Sequence, residues 1–231
     1  MAILVRDKSF LFIMVPHTGC TAVGKVLVDS AGGEYLPAEP IKNASGTITL
    51  PRKHNTLPQL LAHGVLPPHD RLGMLVAGSV RNPFDWLVSQ YLRFLPVRAR
   101  DQSGVVKTAA GYIQGDPRMT GAPEEFETWL VNRYRRPRRG PLGRILPKQS
   151  RKHVDWLEGV DAVMRFERLQ ETFDELLRRV GIAEHLEIPV LNQTVSREGR
   201  DFREWYTPAA REIAEEAFAV YLKKYDYTFE R

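Results

Sequence analysis

The chain has 231 residues, 43% of them hydrophobic, 10% aromatic and 26% charged, the proportions of a folded globular protein rather than a disordered or fibrous one. Lys and Arg number 33 against 28 Asp and Glu, a formal charge of +5 that points to anionic ligands without separating nucleic acid, nucleotide, membrane surface or acidic polysaccharide. Cys20 is the only cysteine, which excludes a disulfide scaffold, and no apolar stretch reaches the roughly 18 residues that cross a bilayer. A cytoplasmic α/β protein is the expectation.

The first predicted element is a strand over Ser9–Val15 (SFLFIMV), a continuous apolar run of the kind covered on both faces in a parallel sheet. Arg6 and Lys8 ahead of it mimic an export leader, but the run is too short and ends in Pro16-His17-Thr18-Gly19 with no small-residue cleavage site. Thr21 opens a helix through Val23, Val26 and Leu27 that Gly32-Gly33 stops. Glu34–Leu50 reads as short extended pieces broken by Pro37, Pro40 and Gly46. Thr56–His63 is a short helix with Thr56 as cap and Pro58 in its first turn.

Leu72–Val80 (LGMLVAGSV) is a second buried strand that runs into Arg81-Asn82-Pro83, after which Phe84–Leu95 has helical periodicity. Arg98–Pro123 shows no clear period and reads as an excursion or lid, part of a less regular region around residues 98–150. Glu124–Tyr134 is predicted helical, Val160–Phe166 a third strand, and Leu169–Val180 a helix ended by Gly181. Thr207-Pro208 caps a last helix in which Ile213, Ala217, Val220 and Tyr221 share one face. This order predicts an α/β fold with a parallel central sheet flanked by helices, in a single domain over residues 1–231.

The turn Pro16-His17-Thr18-Gly19-Cys20-Thr21, between a buried strand and a helix, aims backbone N–H groups and the helix dipole at one point, an anion cradle suited to phosphate or sulfate. An ordinary strand–helix turn capped by Thr21 is the plainer reading of the same residues. Gly19-Cys20-Thr21-Ala22-Val23-Gly24-Lys25 nearly matches a nucleotide triphosphatase loop, but Val26 stands where magnesium needs Ser or Thr. The next buried strand ends in Arg81 rather than in an acid that would hold the metal. Arg81 lies at a strand's carboxyl end, where α/β sheets place ligands, and Ser89 follows eight residues later, so the pair can serve a second anion.

At this point the residues carry a resemblance. Phe12-Ile-Met-Val-Pro-His-Thr-Gly-Cys-Thr21 resembles the 5′-phosphosulfate loop of sulfotransferases that use 3′-phosphoadenosine 5′-phosphosulfate (PAPS). Val80-Arg-Asn-Pro-Phe-Asp-Trp-Leu-Val-Ser-Gln-Tyr91 is similar to their 3′-phosphate motif, with the arginine and serine at the same spacing. Lys53-His54, Arg165-Phe166-Glu167, Leu191-Asn192 and the closing Tyr225-Asp-Tyr-Thr-Phe229 follow in the family's order, closest to the small bacterial and carbohydrate-type branch. The resemblance implies a P-loop-containing nucleotide-binding fold that needs no metal. It implies in-line transfer of a sulfuryl group from PAPS to an acceptor hydroxyl, leaving adenosine 3′,5′-bisphosphate (PAP). By position, His17, Thr18, Gly19, Cys20, Thr21 and Ala22 hold the 5′-phosphosulfate, and Arg81 and Ser89 the 3′-phosphate.

Transfer to a hydroxyl needs a general base, and His54 is the preferred candidate, ahead of Glu34 and Glu39. His17 departs from the family, which has a lysine there to stabilise charge on the oxygen bridging sulfur and phosphorus. A neighbouring dianion favours the imidazolium, so His17 is expected to be cationic with cofactor bound, with Lys53 or Lys25 as substitute cations. Trp86 is expected to pack under the following strand. Cys20 is expected to serve through its backbone, and His17 with Cys20 lacks further ligands for zinc. The basic stretch Arg133–Lys152 reads either as a solvated loop or as a flap over cofactor or acceptor. It is also the whole basis of a nucleic-acid-binding alternative, for which it lacks interleaved aromatics. The other alternative is a nucleotide kinase acting on ATP. The acceptor is expected to be a small molecule or glycan with a hydroxyl, met by Gln102–Pro123, Arg197, Arg200 and Trp205.

Overall fold

The structure is a computed structural model describing residues 2–94, 107–108, 111–112, 123–136, 149–150, 155–191 and 199–230. In chain order the first elements are β1 (Ala2–Val5), β2 (Phe10–Ile13), α1 (Cys20–Ala31), β3 (Glu34–Leu36), β4 (Ile41–Lys42) and β5 (Ile48–Leu50). They are followed by α2 (Leu57–Ala62), α3 (Pro68–Arg71), β6 (Leu75–Val80) and α4 (Pro83–Phe94). Then come β7 (Lys107–Thr108), β8 (Gly111–Tyr112), α5 (Pro123–Tyr134), β9 (Arg135–Arg136), β10 (Gln149–Ser150), β11 (Ala162–Arg165), α6 (Leu169–Arg179) and α7 (Pro208–Tyr225). The chain divides into two compact units, Met1–Arg81 with Asp155–Asn192, and Asn82–Val154 with Gln193–Arg231.

The first unit is built on a five-stranded sheet in the order β11-β6-β2-β1-β3. β2 pairs parallel with β6, and β6 parallel with β11, whereas β1 pairs antiparallel with both β2 and β3. The sheet is therefore mixed: the parallel core expected from the sequence carries the short hairpin of β1 and β2 beside it. The sequence reading missed β1, whose apolar residues Ala2–Val5 fall below a periodicity window. Phe10–Ile13 are fully buried between neighbouring strands, and Phe10 and Phe12 pack in one core with Val23 and Leu27 of α1 and Phe173 and Leu177 of α6. The Asp161 carboxylate accepts from the Val76 N–H and from Arg71, both within hydrogen-bond reach at 2.8 and 2.7 Å, and so fixes the start of β11 against β6.

Strand boundaries move inward: the predicted Ser9–Val15 ends at Ile13, and Val160–Phe166 shrinks to Ala162–Arg165. β6 starts at Leu75 rather than Leu72, because Gly73 turns at φ 76° and leaves Leu72 81% exposed as the residue that ends α3. The first predicted strand starts at Phe10, since Ser9 sits at φ 46° after the tight turn from β1. Helix ends follow local chemistry and match the sequence closely. Gly32 at φ 67° closes α1, and Thr56 and Gln59 form a reciprocal cap on α2.

Gly78 in β6 has a different reason to be glycine. A Cβ there would meet the Leu157 side chain and lie 3.3 Å from the Ile13 carbonyl oxygen. Gly78→Ala is expected to destabilise the protein by about 1–2 kcal/mol, read from the midpoint of urea unfolding. An unchanged midpoint would mean that Leu157 swings aside at no cost.

The second unit packs around helices, with the short strand pairs β7–β8 and β9–β10 beside them. α4, α5 and α7 meet through Phe84, Trp86, Tyr91, Phe126, Leu130, Ala214 and Phe218, with Trp205 fully buried among them. The Tyr206 hydroxyl donates to the Phe84 carbonyl at 2.9 Å, and burial pushes its ionisation well above the usual phenol range. Thr207 caps α7 by accepting from the Ala210 N–H at 3.1 Å, with Pro208 behind it as expected. Two expectations are corrected here. Val220 is 75% exposed, because the buried stripe of α7 centres on Ala210, Ala214, Ala217 and Phe218 and Val220 lies past its rim. Trp86 packs edge-on against Phe218 of α7, with ring centroids 5.8 Å apart, rather than under a strand. The lid expected around residues 98–150 lies largely outside the described residues.

Candidate active site

β2 ends at Ile13, and the turn Met14–Gly19 leads into α1. Gly19 takes φ 73°, a left-handed conformation that glycine adopts without strain, and caps α1 with no side-chain hydrogen bond. No acid stands in the first turn of α1. The Ala22 and Val23 N–H groups donate to the Gly19 carbonyl at 2.9 and 3.2 Å, so Ala22 belongs to the helix's own bonding. Among the described residues no hydrogen bond uses the N–H of Gly19 or Thr21. A helix start with uncapped donors and no nearby acid is electrostatically prepared for an anion, which the Thr21 hydroxyl, on an exposed residue, can also reach.

The rest of the turn faces inward. Thr18 is 1% exposed, and its hydroxyl donates to the Val15 carbonyl at 2.8 Å. The Cys20 side chain is buried, so what it offers a ligand is backbone. His17 adopts φ 63°, rare for a residue with a Cβ, and its carbonyl accepts from Arg81 Nη1 at 3.0 Å. The Arg81 guanidinium lies 4.2 Å over the Phe166 ring, and Phe166 and Leu169 also pack against the backbone of Gly19. Phe166, directly after β11, thus supports both the arginine and the turn.

His54 also has a left-handed backbone, φ 61°, and is half-buried. Its Nδ1 lies 3.1 Å from the carbonyl oxygen of Met14, the first residue of the turn. A carbonyl can only accept, so Nδ1 carries the hydrogen and Nε2 is the ring's acceptor nitrogen in the neutral imidazole. Trp156 meets the ring edge-on, with centroids 6.3 Å apart. The structure therefore brings His54, His17, Thr18, Gly19, Cys20, Thr21, Ala22 and Arg81 together in the first unit. Ser89, 5% exposed, lies on α4 in the second.

The rival candidates have other partners. Glu34 pairs with Arg6 at 2.5 Å on the surface, and Glu39 is exposed. Lys25 points along α1 to Asp29 at 2.5 Å, and that hydrogen bond and charge hold its ammonium above the usual lysine range. Lys53 is exposed beside His54. Of the basic stretch, Arg133 lies near Trp129 and Tyr134, and Arg135 reaches Glu216 at 3.3 Å; Pro137–Lys148 and Arg151–Lys152 lie outside the described residues. Arg197 does too, while Arg200 stacks 4.0 Å over Trp205. Among the described residues no helix is long and apolar enough to cross a membrane, and no group of three or more His, Cys, Asp or Glu could hold a metal ion.

Sequence reasoning missed Met14 as the partner of His54, and it missed Ser79 and Trp156. Ser79 alone left a signal, a single hydroxyl in the apolar strand Leu75–Val80. Comparison with known families matches the chain over residues 1–231 to a family described as "Sulfotransferase family". No curated protein and no solved structure matches the chain significantly. Neither the kinase nor the nucleic-acid alternative draws support from these comparisons.

Proposed function

Because the chain belongs to the sulfotransferase family along its whole length, and is a transferase of sulfuryl groups on that ground, we propose that its donor is PAPS and its acceptor a hydroxyl of a small molecule or glycan. The observation that carries this reading is the uncapped start of α1, with open N–H donors and no acid in the first turn, directly after the central strand β2. Those donors and the Thr21 hydroxyl bind the 5′-phosphosulfate. Arg81 binds the 3′-phosphate, and Ser89 is assigned to that phosphate by the resemblance alone.

The acceptor oxygen attacks sulfur as its proton passes to His54 Nε2, and the bond from sulfur to the bridging oxygen breaks. The electron pair leaves with PAP. His17, as imidazolium, donates to that bridging oxygen as charge develops there. The Met14 carbonyl fixes the His54 tautomer, so the ring presents Nε2 as base rather than Nδ1. A cytoplasmic setting is proposed with this reading, in keeping with Cys20 as the single cysteine.

The test is calorimetric titration with PAP and with ADP, each with and without magnesium. Tight metal-independent binding of PAP is expected, weakened roughly 10- to 100-fold by Arg81→Ala through loss of charge-assisted hydrogen bonds. Preference for ADP with magnesium would instead support the kinase.

A further inference from the structure

The turn that starts α1 is fastened at two points, to Ser79 in β6 and to Arg81 just after that strand. The hydroxyl of Thr18 has one hydrogen, and it donates that to the Val15 carbonyl at 2.8 Å. The 2.5 Å contact between Thr18 Oγ1 and Ser79 Oγ must therefore be filled by the hydrogen of Ser79. Two residues further along, Arg81 donates to the His17 carbonyl at 3.0 Å while resting on Phe166. Between these fastenings His17 holds φ 63°, a conformation that persists in a non-glycine residue only when its surroundings over-determine it.

We infer that Ser79 is a positioning residue for the anion cradle: its hydrogen bond to Thr18 holds the His17–Gly19 turn in the shape that aims the N–H groups of α1 at the ligand, with Arg81 as the second fastening. This rests on the reading of that turn as the 5′-phosphosulfate site. Ser79 is wholly buried, and its hydroxyl reaches the turn through Thr18. The Ser79–Thr18 bond is local to the turn and uses no group assigned to the 3′-phosphate. Removing Ser79 should therefore weaken ligands with and without that phosphate alike.

The experiment is calorimetric titration of wild type, Ser79→Ala, Thr18→Val and the double variant with two probes, PAP and adenosine 5′-phosphosulfate. Alanine is close to serine in volume, and melting curves confirm that each variant is folded. Ser79→Ala is expected to weaken both probes by the same factor, roughly five- to tenfold, as for a lost buried hydrogen bond. Thr18→Val should weaken both similarly, and adding Ser79→Ala to it should cost nothing further, because the two groups act through one bond. Affinities within twofold of wild type, additive losses in the double variant, or a loss confined to PAP would each overturn the inference. A lowered melting temperature with both affinities intact would overturn it too, by reducing Ser79 to a purely structural role. Wild-type protein that binds neither probe would remove the cradle reading itself, and this inference with it; wild-type binding that Ser79→Ala leaves intact removes the inference alone.

Discussion

His54→Asn is expected to lower turnover by about 10²- to 10⁴-fold, the usual contribution of a general base, while PAP affinity stays within about twofold. Asparagine is the informative replacement because His54 sits at φ 61°. Asparagine is one of the few side chains that take this left-handed conformation readily, so the variant removes the imidazole without straining the loop. Alanine would mix the two effects. The readout is release of PAP from PAPS in the presence of a panel of hydroxyl acceptors, with affinity measured separately by calorimetry. Turnover within threefold of wild type would move the base elsewhere. A parallel loss of PAP affinity would mean that His54, through the Met14 carbonyl, mainly shapes the turn. The two outcomes differ because the tether and the base use opposite nitrogens of one ring.

What could be read from the sequence was whatever local chemistry decides. Thr56 and Thr207 cap their helices as expected because a cap is a matter of three or four neighbouring residues. The Phe10–Ile13 run announced a strand covered on both sides for the same reason. β1 escaped because it is short, and its antiparallel place between β2 and β3 depends on sheet order, which no local pattern encodes. In the site, the loop and its charged residues were legible, and the fastenings were not. That Arg81 bonds the His17 carbonyl, or that His54 bonds that of Met14, joins residues 64 and 40 positions apart through backbone atoms that every residue carries. The left-handed conformations of His17 and His54 were equally hidden, since glycine or asparagine would have announced them and histidine does not. Ser79 is the intermediate case: a lone hydroxyl inside an apolar strand must find a partner, but only the structure names Thr18.

The histidine at position 17, where the resemblance places a lysine, should leave its mark on the pH profile. His17→Ala is expected to reduce turnover by about 10²- to 10³-fold, the scale of removing one donor to a developing oxyanion, with a much smaller loss of PAP affinity. His17→Lys should recover much of that rate, since lysine puts another cation on the same left-handed backbone that already carries a Cβ. The decisive difference lies in the alkaline limb. With His54 as the proposed neutral base, the rate should fall as pH drops and its ring takes a proton. With His17 as the proposed cation, the rate should fall as pH rises and its ring loses one. Wild type should accordingly give a bell-shaped profile of kcat against pH. In His17→Lys the cation persists to far higher pH, because an ordinary lysine titrates near 10.4. The acid limb should remain and the alkaline limb should move out by several pH units. If the limb stays where it is, His17 is not the group that titrates there. Equal losses of rate and affinity in His17→Ala would make it a ground-state binder of the phosphosulfate rather than a stabiliser of the leaving oxygen.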